Sequence, residues 1–214
     1  MSYIGRTPTP AALTASDITD GIVSNAKLAQ DIISADTALG ATPADTDEFL
    51  VSDAGTLKRM DYSYIKSTNT PAFEASMSAT QTPTDATWTK LTYNTETFDT
   101  AGAYDNSSNY RFTPQTAGKY FCYSQVTFDA QGVDIFHRAY SGIYFNGSIY
   151  KQSQFDNYDN YFLYATTNTI SAVITFNGSS DYIESYCYFD VTSGTSHRIS
   201  SGNSSIFGAF KLIE

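Results

Sequence analysis

From residue 72 onward the chain alternates. Within Lys119–Phe128, the positions Tyr120, Cys122, Ser124, Val126 and Phe128 share one parity, set against a mostly polar or exposed-type set on the other. Within Tyr182–Val191 the same period selects Ile183, Ser185, Cys187, Phe189 and Val191. Successive side chains of a strand point to opposite faces, so a period of two predicts strands with one face in a core. Short strands are expected near 72–78, 87–94, 109–113, 118–128, 137–145, 148–154, 168–176, 182–191 and 205–213. Asn146-Gly147, between Ile143–Phe145 and Ser148–Tyr150, is the dipeptide favoured by type I′ turns and predicts a hairpin. Ala172–Phe176, Asn177-Gly178 and Tyr182–Val191 predict a second hairpin with a longer loop.

The first third reads differently. Residues 1–15 are rich in Thr, Pro and Ala, and Pro8 and Pro10 oppose regular structure there. Ile22, Ala26, Ala29 and Ile33 recur at helical spacing, with Ser24 placed to cap. A helix this short is marginal on its own. Glu48–Ser52 and Thr56–Tyr62 flank Asp53-Ala54-Gly55 and predict a β-hairpin, with Gly55 at a positive φ. An isolated hairpin is not stable in water, and an apolar stripe with no domain behind it marks an oligomer seam. The expected organisation is an attachment arm and short shaft over 1–66, a linker over 67–71, and a β head over 72–214.

Composition sharpens this division. The chain has 17 tyrosines, 14 phenylalanines and one tryptophan, yet only Tyr3, Phe49, Tyr62 and Tyr64 fall in the first 66 residues. Aromatic rings supply much of a core's buried area, so only the second part is equipped to build a sizeable one. The net charge is −10, with no basic stripe in either part. This argues against nucleic acid as a partner and against membrane insertion or anionic membrane surfaces, and fits simple solubility. Met1–Pro10 lacks an apolar secretory core, and no stretch approaches membrane-spanning length. Without a signal, the sequons at Asn106, Asn146, Asn177 and Asn203 read as turn residues rather than glycan sites.

Tyr110-Arg111-Phe112-Thr113-Pro114-Gln115-Thr116-Ala117-Gly118-Lys119-Tyr120 reads as a strand, a Pro-containing turn and a second strand. Upstream, Tyr93, Asp99 and Tyr104 stand at regular offsets from Phe112. This ordered set resembles the signature of C1q/TNF-like jelly rolls: aromatic, Asn/Asp, aromatic, Phe, then Gly-x-Tyr, matched here by Tyr93, Asp99, Tyr104, Phe112, Gly118 and Tyr120. Seven residues rather than six separate Tyr104 from Phe112, and Cys122 and Ser124 replace the family's aromatics. Ile206-Phe207-Gly208-Ala209-Phe210-Lys211-Leu212 resembles the family's C-terminal strand. The resemblance spans about residues 70 to 214 and implies an all-β jelly-roll sandwich acting as a trimeric binding head. On it, Tyr93, Phe112, Gly118, Tyr120, Phe207 and Phe210 are candidates for core and trimer contact. It also places the strands of Cys122 and Cys187 in opposing sheets, within reach of a disulfide; the alternative is two small buried hydrophobes, favoured in a reducing cytosol.

Catalytic chemistry is thin. His137 and His197 are the only histidines, there is no His/Cys metal cluster, phosphate loop or nucleophile elbow, and no cofactor is expected. The unusual loop is Asp156-Asn157-Tyr158-Asp159-Asn160-Tyr161-Phe162. Tyr158 and Tyr161 suit stacking on a sugar face, while Asp156, Asn157, Asp159 and Asn160 suit its hydroxyls. Equally, the two tyrosines suit covering the sandwich end or a neighbouring subunit. Asp156 and Asp159 raise calcium, as the resemblance does, but two carboxylates do not make a site, so metal binding stays open.

Asp20-Gly21-Ile22-Val23-Ser24-Asn25-Ala26-Lys27-Leu28 is similar to a phrase of phage tail and fibre proteins. The expected role is therefore a virion protein made in the host cytoplasm, a phage fibre or capsid decoration. Its arm would bind a capsid or tail protein, and its homotrimeric head a cell-surface glycan or host surface. The rivals are a cellular C1q-like lectin or adhesion module and a surface-depolymerising enzyme, which needs a carboxylate pair in a cleft.

Overall fold

In the computed structural model, residues 14–19, 38–132, 136–158, 162–192 and 196–213 are described. The chain divides into two compact units, Met1–Lys66 and Ser67–Glu214.

In the first unit, β1 (Glu48–Asp53) and β2 (Thr56–Asp61) form the predicted two-stranded hairpin. Ala54 and Gly55 both take positive φ, 49° and 87°, so the turn has the I′ character that suits strand twist. Glycine was expected there; an alanine at positive φ was not. The hairpin covers little apolar surface: Leu50, Leu57, Phe49 and Met60 remain exposed, as do Tyr64 and Ile65 just beyond it. Ala15–Asp17 forms one 3₁₀ turn, closed by Asp17 accepting bonds from the Thr14 amide and hydroxyl. The predicted helix over Ile22–Ile33 lies outside the described residues.

The second unit is a sandwich. Its strands are β3 (Ala72–Met77), β4 (Thr89–Lys90), β5 (Thr95–Asp99), β6 (Tyr104–Asp105), β7 (Arg111–Phe112), β8 (Gly118–Asp129), β9 (Phe136–Phe145), β10 (Ser148–Asp156), β11 (Ala165–Phe176), β12 (Ile183–Val191), β13 (Arg198–Ile199) and β14 (Gly202–Lys211). One antiparallel sheet runs β11-β8-β14-β3-β5, with β13 beside β8. The other runs β10-β9-β12-β7-β6, with β4 beside β12. Long strands that are neighbours in sequence alternate between sheets, except for the β9–β10 hairpin. Two packed antiparallel sheets joined in this way are a jelly roll.

The alternation in the sequence is the alternation in the structure. Tyr120, Cys122, Ser124, Val126 and Phe128 are all fully buried, as are Ile183, Ser185, Cys187 and Phe189. Between the sheets, Phe73 stacks on Tyr104 and Phe112, each at 4.5 Å between ring centres, and meets Phe207 edge-on at 5.2 Å. Such pairs add about 0.5–1.5 kcal/mol each beyond area burial. A polar seam crosses the same core: the Ser124 and Ser185 hydroxyls lie 2.8 Å apart, with the Tyr93 hydroxyl 3.4 Å from Ser124. Asn168 Nδ2 donates to the Ala139 carbonyl at 2.7 Å. Cys122 and Cys187 are free, and burial pushes both thiols up.

Three expectations need correction. The strand read over 87–94 is only Thr89–Lys90 long. Leu91 and Tyr93 keep their buried parity while the chain crosses to the other sheet, where β5 pairs with β3. The 109–113 strand begins at Arg111, because Tyr110 has a φ of 49°. The second predicted hairpin does not form: β11 pairs with β8 and β12 with β9, so the Asn177-Gly178 loop joins opposite sheets. Asn177 Oδ1 accepts from the Ser179, Ser180 and Asp181 amides, and an added Cβ on Gly178 would meet the Ala117 backbone nitrogen at 2.3 Å. By contrast, the Asn146-Gly147 hairpin is present, with φ of 50° and 79°.

Candidate functional site

The β9–β10 hairpin and β12 carry a cross-strand row of three charges. Asp156 faces Arg138, and Arg138 faces Asp190. Directly opposed residues project from the same face, so the register alone assembles an acid–base–acid line. Arg138 Nε stands 3.6 Å from Asp156 Oδ1, and Nη1 stands 3.7 Å from Asp190 Oδ2. The guanidinium also bonds Tyr188, which holds its charge more firmly still. Exposed pairs of this kind are screened by solvent and add little to stability, so the row's interest is positional.

Around this row lies an open depression of about 250 Å³, lined by His137, Arg138, Asp156, Asn157, Tyr158 and Asp190. Its walls are held from below. The Asn157 amide donates to the His137 carbonyl at 2.8 Å, and Asn157 Nδ2 donates to the Phe136 carbonyl at 2.7 Å. The Tyr140 hydroxyl donates to Asp156 Oδ1. Burial and the Asp156 carboxylate push that phenol up to about 12, so it remains a donor at any physiological pH. His137 Nδ1 lies 3.6 Å from Asp190. Above the rim, Tyr158 is 85% exposed.

The structure thus brings Asp156, Asn157 and Tyr158 together, while Asp159, Asn160 and Tyr161 lie outside the described residues. It adds His137, Arg138 and Asp190, which the sequence reading passed over. For Asp190 the signal is present in the sequence, as an outward parity position of Tyr182–Val191, whereas Arg138 joins it only through the β9–β12 register. Asp156 is engaged by Arg138 and Tyr140. Among the described residues, no group of three or more His, Cys, Asp or Glu side chains is placed to hold a metal ion.

The residues behind the resemblance gather in the core and come from both sheets, with Tyr104 and Phe112 on β6 and β7 and Tyr120 and Phe207 on β8 and β14. Tyr93, Phe112, Tyr120 and Phe207 are fully buried. Asp99 Oδ2 accepts from the Tyr104 amide at 2.8 Å, and the Tyr104 hydroxyl donates to the Tyr93 carbonyl at 2.9 Å, so the motif wires its own residues together. The Tyr120 hydroxyl donates to the Thr116 carbonyl at 2.8 Å, closing the turn before β8. Gly118 sits at φ +138°, a conformation that disfavours side-chain-bearing residues. Phe210 alone of this set faces outward, 5.4 Å from Phe121 on the β11-β8-β14-β3-β5 sheet.

No family model matches the chain, and no curated protein matches it. Solved structures similar to it include murine APRIL at pH 5.0, with 12% identity and a TM-score of 0.49 over 66% of this chain and 98% of that one. Murine APRIL at pH 8.0 gives 12% and 0.46 over 66% and 98%. Eiger TNF from S. frugiperda gives 12% and 0.45 over 67% and 94%.

Proposed function

We propose that this chain is a virion display protein, a phage fibre or capsid decoration, whose jelly-roll head binds a glycan or other host-surface group. The observation that carries the binding role is the depression beneath Tyr158. It combines an exposed phenol, an amide, a guanidinium and two carboxylates on a rigid sheet end. That mixture offers one stacking face and several donors and acceptors, as a hydroxyl-rich ligand requires. Arg138 ties both carboxylates, an arrangement suited to holding polar groups in register rather than to two-carboxylate hydrolysis.

Two features support a homotrimer. The outer face of β11-β8-β14-β3-β5 carries Phe121, Ile206 and Phe210, together with the exposed Val173 and Phe98. The β1–β2 hairpin leaves its apolar residues uncovered, as a lone hairpin cannot sustain. The virion assignment is supported by the phrase from Asp20 to Leu28 and by an arm poor in core-forming residues. On this reading residues 1–66 engage a capsid or tail protein.

Tyr158→Ala tests the binding site. On a glycan array it is expected to weaken binding by about 1–3 kcal/mol, the scale of a contact hot spot. An unchanged melting curve should accompany it, since an exposed ring makes few core contacts. Early melting or dissociation into monomers would instead assign Tyr158 to packing. A cellular lectin head would show the same sugar binding but no incorporation of the full chain into particles.

A further inference from the structure

The outer face of the β10-β9-β12-β7-β6 sheet is not built like a solvent face. A sheet with one side in the core normally turns polar residues outward. Here the outward positions of β9 and β12 hold Tyr140, Tyr144, Tyr186 and Tyr188, all half-buried, and Trp88 lies among them. Tyr140 and Tyr188 are register partners, stacked at 5.4 Å and 19°. Tyr144 and Tyr186 stack at 4.0 Å and 26°. The indole centre is 6.5 Å from Tyr140, 5.9 Å from Tyr144 and 5.8 Å from Tyr188. Gly142 makes its seat: a Cβ there would stand 3.1 Å from Trp88 Cζ3.

The composition of this strip separates it from a subunit contact. Every ring carries a hydroxyl or an N–H, whereas on the opposite sheet Phe121, Phe210, Ile206 and Val173 turn outward around one tyrosine, Tyr123, whose hydroxyl is spent on Glu74 at 2.7 Å. Exposed Gln152 and Gln154 of β10 stand in register with Gly142 and Tyr140, so amides border the rings. Lys90 is neutralised by Glu184 at 2.5 Å, while at the other end Arg138 stands between Asp156 and Asp190, which leaves that end one charge negative. Neither end attracts an anion, so the border suits an uncharged ligand. Tyr140 to Tyr144 spans about 13 Å along the strand, more than one sugar ring. Because the Tyr140 hydroxyl donates to Asp156, the strip runs directly into the depression already described.

We propose that this strip is a stacking platform for an uncharged oligosaccharide that continues from the depression, an inference that rests on the glycan-binding reading of the head. Pre-stacked rings lose little side-chain freedom on binding, and the ring faces turned away from each stacked partner are what the C–H faces of pyranose rings would meet. Gln152 and Gln154 then meet the ring hydroxyls.

Trp88 is the single tryptophan of the chain, so its emission reports on this strip directly. The full-length protein is titrated with maltohexaose, cellohexaose and mannohexaose. At least one is expected to shift Trp88 emission saturably. Tyr188→Ala should weaken that response about tenfold or more. Gly142→Ala, whose Cβ would press on the Trp88 and Tyr144 rings at 3.1 and 3.3 Å while keeping Tyr188, should weaken it too. The response should persist, though weakened, in Tyr158→Ala, which separates the strip from the loop. Loss of the Trp88 response with all three sugars, while Tyr158-dependent binding survives on an array, overturns the strip and leaves the loop reading standing. Absence of both overturns both. A Tyr188→Ala chain whose assembly mass falls overturns the proposal by making this face a subunit contact.

Discussion

Asp105 organises the turn between β6 and β7 single-handedly. Its Oδ1 accepts from the Ser107 and Ser108 amides at 3.0 and 2.9 Å, and its Oδ2 from the Asn109 amide and Nδ2 at 3.1 and 2.7 Å. These bonds favour the charged form and hold the carboxyl well below the usual range. A folded value below the unfolded one stabilises above the unfolded value of about 3.9, and the contribution fades as pH falls through the folded one. Asp105→Ala is therefore expected to melt earlier than the native chain at pH 7. The gap should narrow in strongly acidic buffer, as differential scanning calorimetry at the two pH values would show. Solvent screening keeps the effect small, since the carboxylate is largely exposed. Gly118→Ala should cost about 1–3 kcal/mol in chemical denaturation, chiefly from backbone strain at φ +138°, because the nearby Lys211 Cε is free to swing away. An unchanged midpoint would contradict the conformational account. Cys122 and Cys187 should resist alkylation in the native protein and react on unfolding, because burial disfavours both thiolates. The parity of Tyr120–Phe128 made these buried positions legible. The positive φ of Tyr110 and Ala54 was not, since neither residue type advertises it.

At the scale of elements, what the sequence revealed was which residues face inward, and what it concealed was which strands pair. Leu91 and Tyr93 alternate like strand residues, yet the segment carries no extended ladder because it passes between sheets. Ala172–Phe176 and Tyr182–Val191 sit across a turn-rich loop, yet their ladders lie in opposite sheets. Period-two patterning reports burial, and burial is the same on either side of the sandwich core. The site was half-legible for a related reason. The Asp156–Tyr158 composition stood out as a loop, but Arg138 and Asp190 join it only through register. The β1–β2 hairpin leaves Leu50 and Leu57 exposed, and the buried cluster of the sandwich is built from residues of the second unit. Removal of residues 1–66 is therefore expected to leave a soluble head with a cooperative melt, and to abolish incorporation into particles. An insoluble head would contradict independent folding, and normal incorporation would contradict the anchoring role.

For the whole molecule, the two outer faces of the sandwich differ in composition. One turns out Phe121, Phe210, Ile206 and Val173, and the other turns out tyrosines, Trp88 and amides above a charged row. A single subunit leaves the first face in water, where an apolar patch is unfavourable. In the proposed trimer, closing it against two copies would bury over ~2,000 Å² in an obligate interface, and three copies of the proposed site would multiply weak contacts by avidity. The most direct measurement is the mass of the full chain by light scattering after size exclusion at micromolar concentration. The account predicts a single species of three times 23.4 kDa. A stable species of 23.4 kDa would contradict it.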